Sequence, residues 1–278
     1  MIKIEETETY GWEAAIRGMR NPMNSWDKSD SGICYKEVAC HSCNENRNNC
    51  AYNLEHDGFV IGDNDLDLMR RLCAAGSDHR KFMRMIAVSC DITAPLYWWK
   101  EFDTYKVGTV ENSCSTMHKI HAKEFTIEDF SHEHILHETF TGLVNPATLL
   151  NGIVDALNQN RKLYLQTKDK KYWWQMIQLL PSSYNQKRTV MLNYEVLTNI
   201  YNSRKNHKLD EWHDFCDWIK TLPYSKLITR MSEVTDEFWK VTRSCFAPMT
   251  KEEIARTILT GEQMPEAKVV YKDALSEK

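Results

Sequence analysis

Residues 180–211 read LPSSYNQKRTVMLNYEVLTNIYNSRKNHKLDE. A break at Leu180-Pro181 precedes a long segment whose residues recur at helical spacing, which predicts a helix over 189–203. Asn193, Leu197, Ile200 and Arg204 stand at i, i+4, i+7 and i+11 and share one face of that helix. Asn199 and Tyr201 lie beside the face. An ordinary core face does not open with an amide and close with a guanidinium. Arg offers a planar fork of donors suited to phosphate or carbonyl oxygens, and Asn offers both a donor and an acceptor to the edge of a heteroaromatic ring. A surface helix whose Asn and Arg meet water has the same pattern.

Outward from this stretch the layout is mainly helical. Apolar periodicity predicts further helices over 146–165, 170–180 and 209–221, with shorter pieces towards the end. Upstream, residues 2–5 alternate and read as a short edge strand, and 11–19 read as a short helix. Asp63 or Asn64 caps a helix that runs through Ala75, with Gly76 as its stop. Residues 82–92 mix β-branched and apolar side chains and read as a strand. Pro95 suits the first turn of a helix carrying Tyr97, Trp98, Trp99, Lys100 and Glu101. The fold class is therefore α/β in the α+β sense, a mainly helical domain around a small sheet. The chain is read as one domain over 1–278, with a Cys/Asn-rich loop insertion at 21–58, a core at 61–219 and a loose polar tail at 262–278. Its length also accommodates two small domains.

Composition narrows the class. The chain has 278 residues, a formal net charge of −4 and 42% hydrophobic residues, enough for a real core. No long basic run is present, which argues against duplex nucleic acid as a partner. The opening MIKIEETETYGW lacks the basic and apolar regions of a signal peptide, and no apolar run is long enough to span a membrane. A cytoplasmic protein is the expectation.

Nine cysteines point to thiols or metal ligands in such a compartment. Cys34, Cys40, Cys43 and Cys50 cluster in ICYKEVACHSCNENRNNC around His41, but only Cys40-His41-Ser42-Cys43 has the tight spacing of a zinc knuckle. The cluster reads as a structural zinc site, a redox pair, or inert free thiols. His132, His134 and His137 in SHEHILHETF lack the H-E-x-x-H spacing and read as solvated residues. The pairs Trp98-Trp99 and Trp173-Trp174 either stack on an aromatic ligand or place one ring in the core and one at its rim. Neither G-x-G-x-x-G nor a Walker A pattern occurs.

A second polar constellation comprises residues 76–81 with His79 and Arg80, then Lys100-Glu101, then residues 108–119, GTVENSCSTMHK. The last segment crowds hydroxyls and amides around Ser115 and Thr116 and ends in His118-Lys119. Hydroxyls, backbone N–H groups and a nearby cation are what a phosphate monoester needs; an ordinary turn uses the same residues. No base adjoins Cys114 or Ser115 in sequence, so neither reads as a nucleophile.

These features together resemble the flavin-dependent thymidylate synthases. The order of elements matches: an Asp-Leu-x-Leu helix (65–72), a Gly turn, a strand, an aromatic-rich helix, a Ser/Thr-rich loop and a helical C-terminal half. Leu180-Pro181, Asn193, Leu197, Asn199 and Arg204 fall at the family's spacing without a gap. Leu209-Asp210 stands in place of the family's Ala-Gln, and Trp212 in place of its Glu. The signature R-H-R-x-x-S-x-N-x-x-S-x-R survives in part. Trp99-Lys100-Glu101-Phe102 occupies its start, Asn112 and Ser115 match after an insertion, and Met117 replaces the final Arg. The resemblance covers 61–219.

The resemblance implies an α/β homotetramer with FAD bound between subunits. It implies methylation of dUMP or a related pyrimidine nucleotide, with methylenetetrahydrofolate as carbon donor and NADPH as reductant. Arg204 would clamp the pyrimidine as the catalytic residue. Asn193, Asn199, Asn112, His79, Lys100 and Glu101 would serve FAD. Ser115, Thr116, Arg80, His118 and Lys119 would serve the nucleotide phosphate, His118, Lys119 or Arg80 replacing the cation lost at Met117. The altered signature leaves open a repurposed relative that binds a nucleotide or a protein partner without flavin chemistry.

Overall fold

The computed structural model describes residues 2–33, 59–138 and 145–229. The cysteine cluster Cys34, Cys40, Cys43 and Cys50 and the tail at 262–278 lie outside the described residues. Contacts divide the chain into two compact units: Met1–Gly11 with Ile86–Ser225, and Trp12–Met85 with Lys226–Lys278.

The first unit is built on a four-stranded antiparallel sheet in the order β1 (Lys3–Tyr10), β4 (Ala87–Pro95), β6 (Asn185–Asn193), β5 (Val110–Ser113). In β4 the alternation is plain in the sequence, and Val88, Cys90, Ile92 and Ala94 all turn inward. Strand β6 corrects the expected helix over 189–203, because residues 189–193 belong to the sheet. Gln186, Val190 and Leu192 are buried while Lys187, Thr189 and Met191 are exposed, a period of two that a helix cannot satisfy. Nine residues of β4 pair with β6, from Ala87↔Asn193 to Pro95↔Asn185. The helix begins only at Tyr194.

Helices α3 (Leu96–Phe102) and α7 (Asp210–Thr221) pool their aromatic residues in one core, and α6 (Tyr194–Arg204) packs against α7. Trp98 stacks on Phe102 at 5.0 Å and meets Trp212 at 4.7 Å. Trp98 and Trp99 are both fully buried, so neither is the rim residue nor the ligand platform that the sequence suggested. The bulk of α3 is aromatic, and both faces of so short a helix are needed to fill the space. Trp173 is half-buried and Trp174 is 43% exposed, so neither ring of that pair is a core residue. Helices α4 (Pro146–Thr167) and α5 (Lys170–Leu179) cover a second apolar cluster that includes Phe125, Phe130, Leu157 and Met176.

The second unit contains α1 (Trp12–Arg20), the short strands β2 (Gly32–Ile33) and β3 (Phe59–Val60), and α2 (Asp63–Ala74). Neither Asp63 nor Asn64 caps α2. The Asp30 carboxylate does, accepting from the N–H groups of Asn64 at 2.9 Å and Asp65 at 3.1 Å. Gly62 permits that approach, since a Cβ there would lie 2.2 Å from the Asp30 side chain. The buried pair Arg20–Asp65, 2.6 Å, joins α1 to α2. Among the described residues no helix is long and apolar enough to cross a membrane.

Candidate functional site

Helix α6 begins where β6 ends, and Asn193 makes the transition. Its backbone is extended, and its side-chain oxygen accepts from the Val196 N–H at 3.0 Å. This is an N-cap, so the amide oxygen that opens the polar face is committed to the helix itself. Leu197 and Ile200, in the middle of that face, are fully buried. Asn199 is exposed on the neighbouring side. Only Arg204, in the last turn, carries the face into a polar cluster.

Arg204 is held from three directions. Its Nη1 donates to Glu101 Oε2 at 2.6 Å, and its Nε donates to the Tyr105 hydroxyl at 2.9 Å. The guanidinium lies 4.7 Å from the Trp212 ring centroid and 5.6 Å from that of Tyr105. The same Glu101 oxygen accepts from Trp212 Nε1 at 2.9 Å, and His207 Nε2 stands 3.3 Å from it. Glu101 comes from α3, Trp212 from α7, and Tyr105 and His207 from the connections after α3 and α6. Arg204 and Glu101 stay partly open, their side chains 17% and 35% exposed. Among the described residues Nη2 makes no hydrogen bond, so one edge of the fork is available to a ligand.

The sequence pointed to Arg204 and Glu101 without pairing them, and it missed Tyr105 and His207. It noted Trp212 only for its place in the pattern. These residues share no local period, and the contacts that join them span up to 111 positions. Arg188 was missed altogether. From β6 it bridges Asp103 at 2.7 Å and Glu111 at 2.5 Å and lies 4.2 Å from the Trp99 ring centroid, tying the site's α3 to β5.

The loop after β5 forms a separate group. Asn112 pairs with Thr189 in the sheet, and Cys114 N–H donates to Lys187 O at 2.9 Å. Gly108, at φ +82°, turns the chain towards β5, and an added Cβ would press on Asn193 and Val196 at 3.0 and 3.1 Å. The Ser115 hydroxyl oxygen accepts from His118 N–H at 3.0 Å, closing a turn that leaves Asn112, Ser115, His118 and Lys119 exposed and Thr116 half-buried. Among the described residues no hydrogen bond or ion pair joins this turn to the Arg204 cluster. Lys100 is exposed on α3. His79 and Arg80 belong to the second unit, in a turn where both N–H groups donate to Gly76 O.

Cys114 is exposed in the loop after β5, whereas Cys90 and Cys216 are buried. Burial pushes the Cys90 thiol up to about 12 and the Cys216 thiol up to about 11, so neither forms a thiolate near neutrality. Burial and the adjacent Glu211 carboxylate raise the Tyr97 hydroxyl, which donates to that carboxylate. His132 Nδ1 lies 2.8 Å from Phe130 O, and His134 Nε2 lies 3.0 Å from Asp210. No group of three or more His, Cys, Asp or Glu is arranged to hold a metal among the described residues.

A small antiparallel sheet, an aromatic α3 and an Asn-capped α6 that delivers Arg204 define a class: the chain has the fold of the flavin-dependent thymidylate synthases. The structure of thymidylate synthase X from Helicobacter pylori with FAD and dUMP aligns over 82% of this chain and 97% of its own, with a TM-score of 0.54 and 15% identity. A second structure of the flavin-dependent enzyme from Helicobacter pylori, also complexed with FAD and dUMP, aligns over the same shares with a TM-score of 0.53 and 16% identity. No protein-family model matches the chain, and no curated protein matches it in sequence.

Proposed function

We propose that this protein methylates a pyrimidine nucleotide, dUMP or a close relative, in a flavin-dependent reaction. The observation that carries the reading is Arg204. It stands at the end of α6 in a fold shared with FAD- and dUMP-bound enzymes, fixed by two hydrogen bonds and two ring faces, with one edge of its guanidinium unused. That edge suits a pyrimidine carbonyl oxygen.

When bound, reduced FAD supplies the relay of the one-carbon unit between methylenetetrahydrofolate and the nucleotide, with NADPH as reductant. The chain's own residues then bind and orient. Arg204 holds the pyrimidine and stabilises negative charge developing on its carbonyl. The exposed Asn199, Asn112 and Lys100 offer donors and acceptors to the flavin, and the Ser115 turn with Thr116, His118 and Lys119 offers donors to the nucleotide phosphate. Asn193 and Glu101 are less available, the first as a helix cap and the second as the counter-ion of Arg204. No protein nucleophile is required. A flavin site shared between subunits implies a closed homo-oligomer, a tetramer, in the cytoplasm.

Glu101 also favours a second reading. The resemblance assigns Glu101 to FAD, but here it is spent as the counter-ion of Arg204 at 2.6 Å, as suits a relative that binds nucleotide or a protein partner without flavin chemistry. Absorbance spectra of the purified protein titrated with FAD, followed by dUMP titration in a calorimeter, separate the two. Flavin absorbance that stays with the protein and a dUMP heat lost in Arg204→Ala support the methylation reading. Nucleotide binding without retained flavin supports the second, and neither ligand binding rejects the methylation reading and the nucleotide form of the second. Light scattering of the FAD-loaded protein at micromolar concentration tests the tetramer, and a strict monomer overturns the shared site.

A further inference from the structure

The tip of the hairpin formed by α4 and α5 is chemically unlike the rest of the chain. Residues 161–174 read RKLYLQTKDKKYWW, five cations and one carboxylate interleaved with four aromatic rings, in a chain whose net charge is −4. The one carboxylate is already committed. Asp169 caps α5 by accepting from the Lys171 N–H at 3.0 Å, and it pairs with Lys171 Nζ at 3.1 Å. Among the described residues Lys162, Lys168 and Lys170 have no carboxylate within ion-pair distance. The neighbours of Lys168 and Lys170 are rings instead. The Lys170 ammonium lies 5.8 Å from the Trp173 ring centroid and 5.6 Å from that of Trp174, and the Lys168 ammonium lies 5.8 Å from that of Tyr164. Trp174, Leu163 and Leu165 are all more than a third exposed.

A face that merely meets water mixes its charges and keeps its large rings inside. This one does neither. It is also rigidly backed. Trp173 Nε1 donates to Met117 O at 3.1 Å, and Arg161 Nε donates to His121 O at 3.0 Å, so the loop bearing the exposed His118 and Lys119 is pinned to the hairpin. Cations without carboxylate partners beside an exposed ring are the two elements that single-stranded nucleic acid requires, one for the phosphates and one for base stacking. A duplex offers its stacked bases no ring to meet. An anionic membrane calls for an apolar face separated from a charged one, whereas here rings and cations interleave.

We propose that the tip of the α4–α5 hairpin is a binding surface for single-stranded nucleic acid, with Lys168 and Lys170 meeting phosphates and Trp174 stacking on a base. The surface shares no residue with the Arg204 cluster, adjoins the Ser115 turn through Trp173 and Met117, and needs neither FAD nor dUMP. Fluorescence anisotropy of the full chain with labelled oligothymidylate and oligouridylate of roughly 20 nucleotides, longer than one such site, tests it. The expected result is binding that weakens steeply between about 50 mM and about 200 mM salt. The ratio of the two affinities shows whether the natural strand is DNA or RNA. Lys168→Asn/Lys170→Glu, an Asn that tolerates the left-handed backbone at 168 and a carboxylate that suits a helix N-terminus, weakens binding by about tenfold or more. Trp174→Ala, at an exposed position, weakens it roughly tenfold through lost stacking. Each variant keeps the parent melting temperature within a few degrees. The proposal is overturned if neither oligonucleotide binds at the lower salt, if both variants bind as the parent does, or if phosphatidylserine vesicles bind while the oligonucleotides do not.

Discussion

Two arginine–carboxylate pairs, one in each unit, have the same 2.6 Å separation and opposite characters. In the second unit Arg20 and Asp65 are closed off. Arg20 spends Nε on Asp65, Nη1 on Ser25 and Nη2 on the Lys28 carbonyl, while Asp65 also accepts from the hydroxyls of Ser29 and Ser31 and from the N–H groups of Asp30 and Ser31. In the first unit Arg204 leaves Nη2 unused and remains within reach of water. Ion pairing alone therefore does not mark a site. The pair whose donors are exhausted organises the fold, and the pair with a donor to spare is free to meet a ligand.

The largest expected effect breaks the closed pair. Asp65→Ala strands the Arg20 charge in a buried site and should cost about 3–5 kcal/mol of stability in denaturant unfolding. A loss under about 1 kcal/mol would put Arg20–Asp65 on a par with a surface pair. The pair should also respond to acid. Burial raises the Asp65 carboxyl, but hydrogen bonds from Ser31 and Ser29 and the Arg20 charge outweigh it, and the net shift is downward. A carboxyl that is more acidic in the folded chain adds stability above its unfolded value of about 3.9 and loses it as the pH falls through the lower folded value. Melting curves at decreasing pH should therefore fall more steeply for the parent than for Asp65→Asn below about pH 4. Parallel curves would remove Asp65 from the acid response.

Breaking the open pair should show in binding and leave the fold standing. Arg204→Ala should weaken nucleotide binding by about 1.5–3 kcal/mol, the range for hydrogen bonds to charged groups, with a smaller change in unfolding free energy. If calorimetry instead gave unchanged affinity and a collapse in stability, Arg204 would be a second Arg20. The smallest effect concerns Asn193, which the family resemblance assigns to FAD and the geometry assigns to a helix cap. Asn193→Ala should cost about 1 kcal/mol of stability, and Asn193→Asp, which keeps the acceptor, should cost little. Loss of FAD affinity in Asn193→Asp with stability preserved would restore the cofactor role.

Legibility followed the range of the interaction. The alternation in β4 and the apolar periods of α4, α5 and α7 are properties of neighbouring residues, and the sequence shows them. Strand β6 was misread because Asn193, Leu197, Ile200 and Arg204 do fit a helical repeat. The cross-strand partners Ala87↔Asn193 and Val88↔Leu192, which hold the last residues of β6 in a sheet, lie about a hundred positions away. The cap of α2 was misassigned for the same reason. Asp63 and Asn64 look like caps at their positions, but Asp30 reaches the helix from 34 residues upstream.

By itself the sequence determined the mainly helical plan around a small sheet, the pattern of Asn199 and Arg204 on α6, and the local excess of cations at residues 161–174. Each depends on residue chemistry at short spacing, which a chain carries before it folds. Only the tertiary structure decided that the residues up to Asn193 stay in the sheet, that Glu101 is the partner of Arg204, and that Asp30 caps α2. Those outcomes depend on which distant groups satisfy a donor first, and a hydrogen bond, once made, removes that donor from any other chemistry.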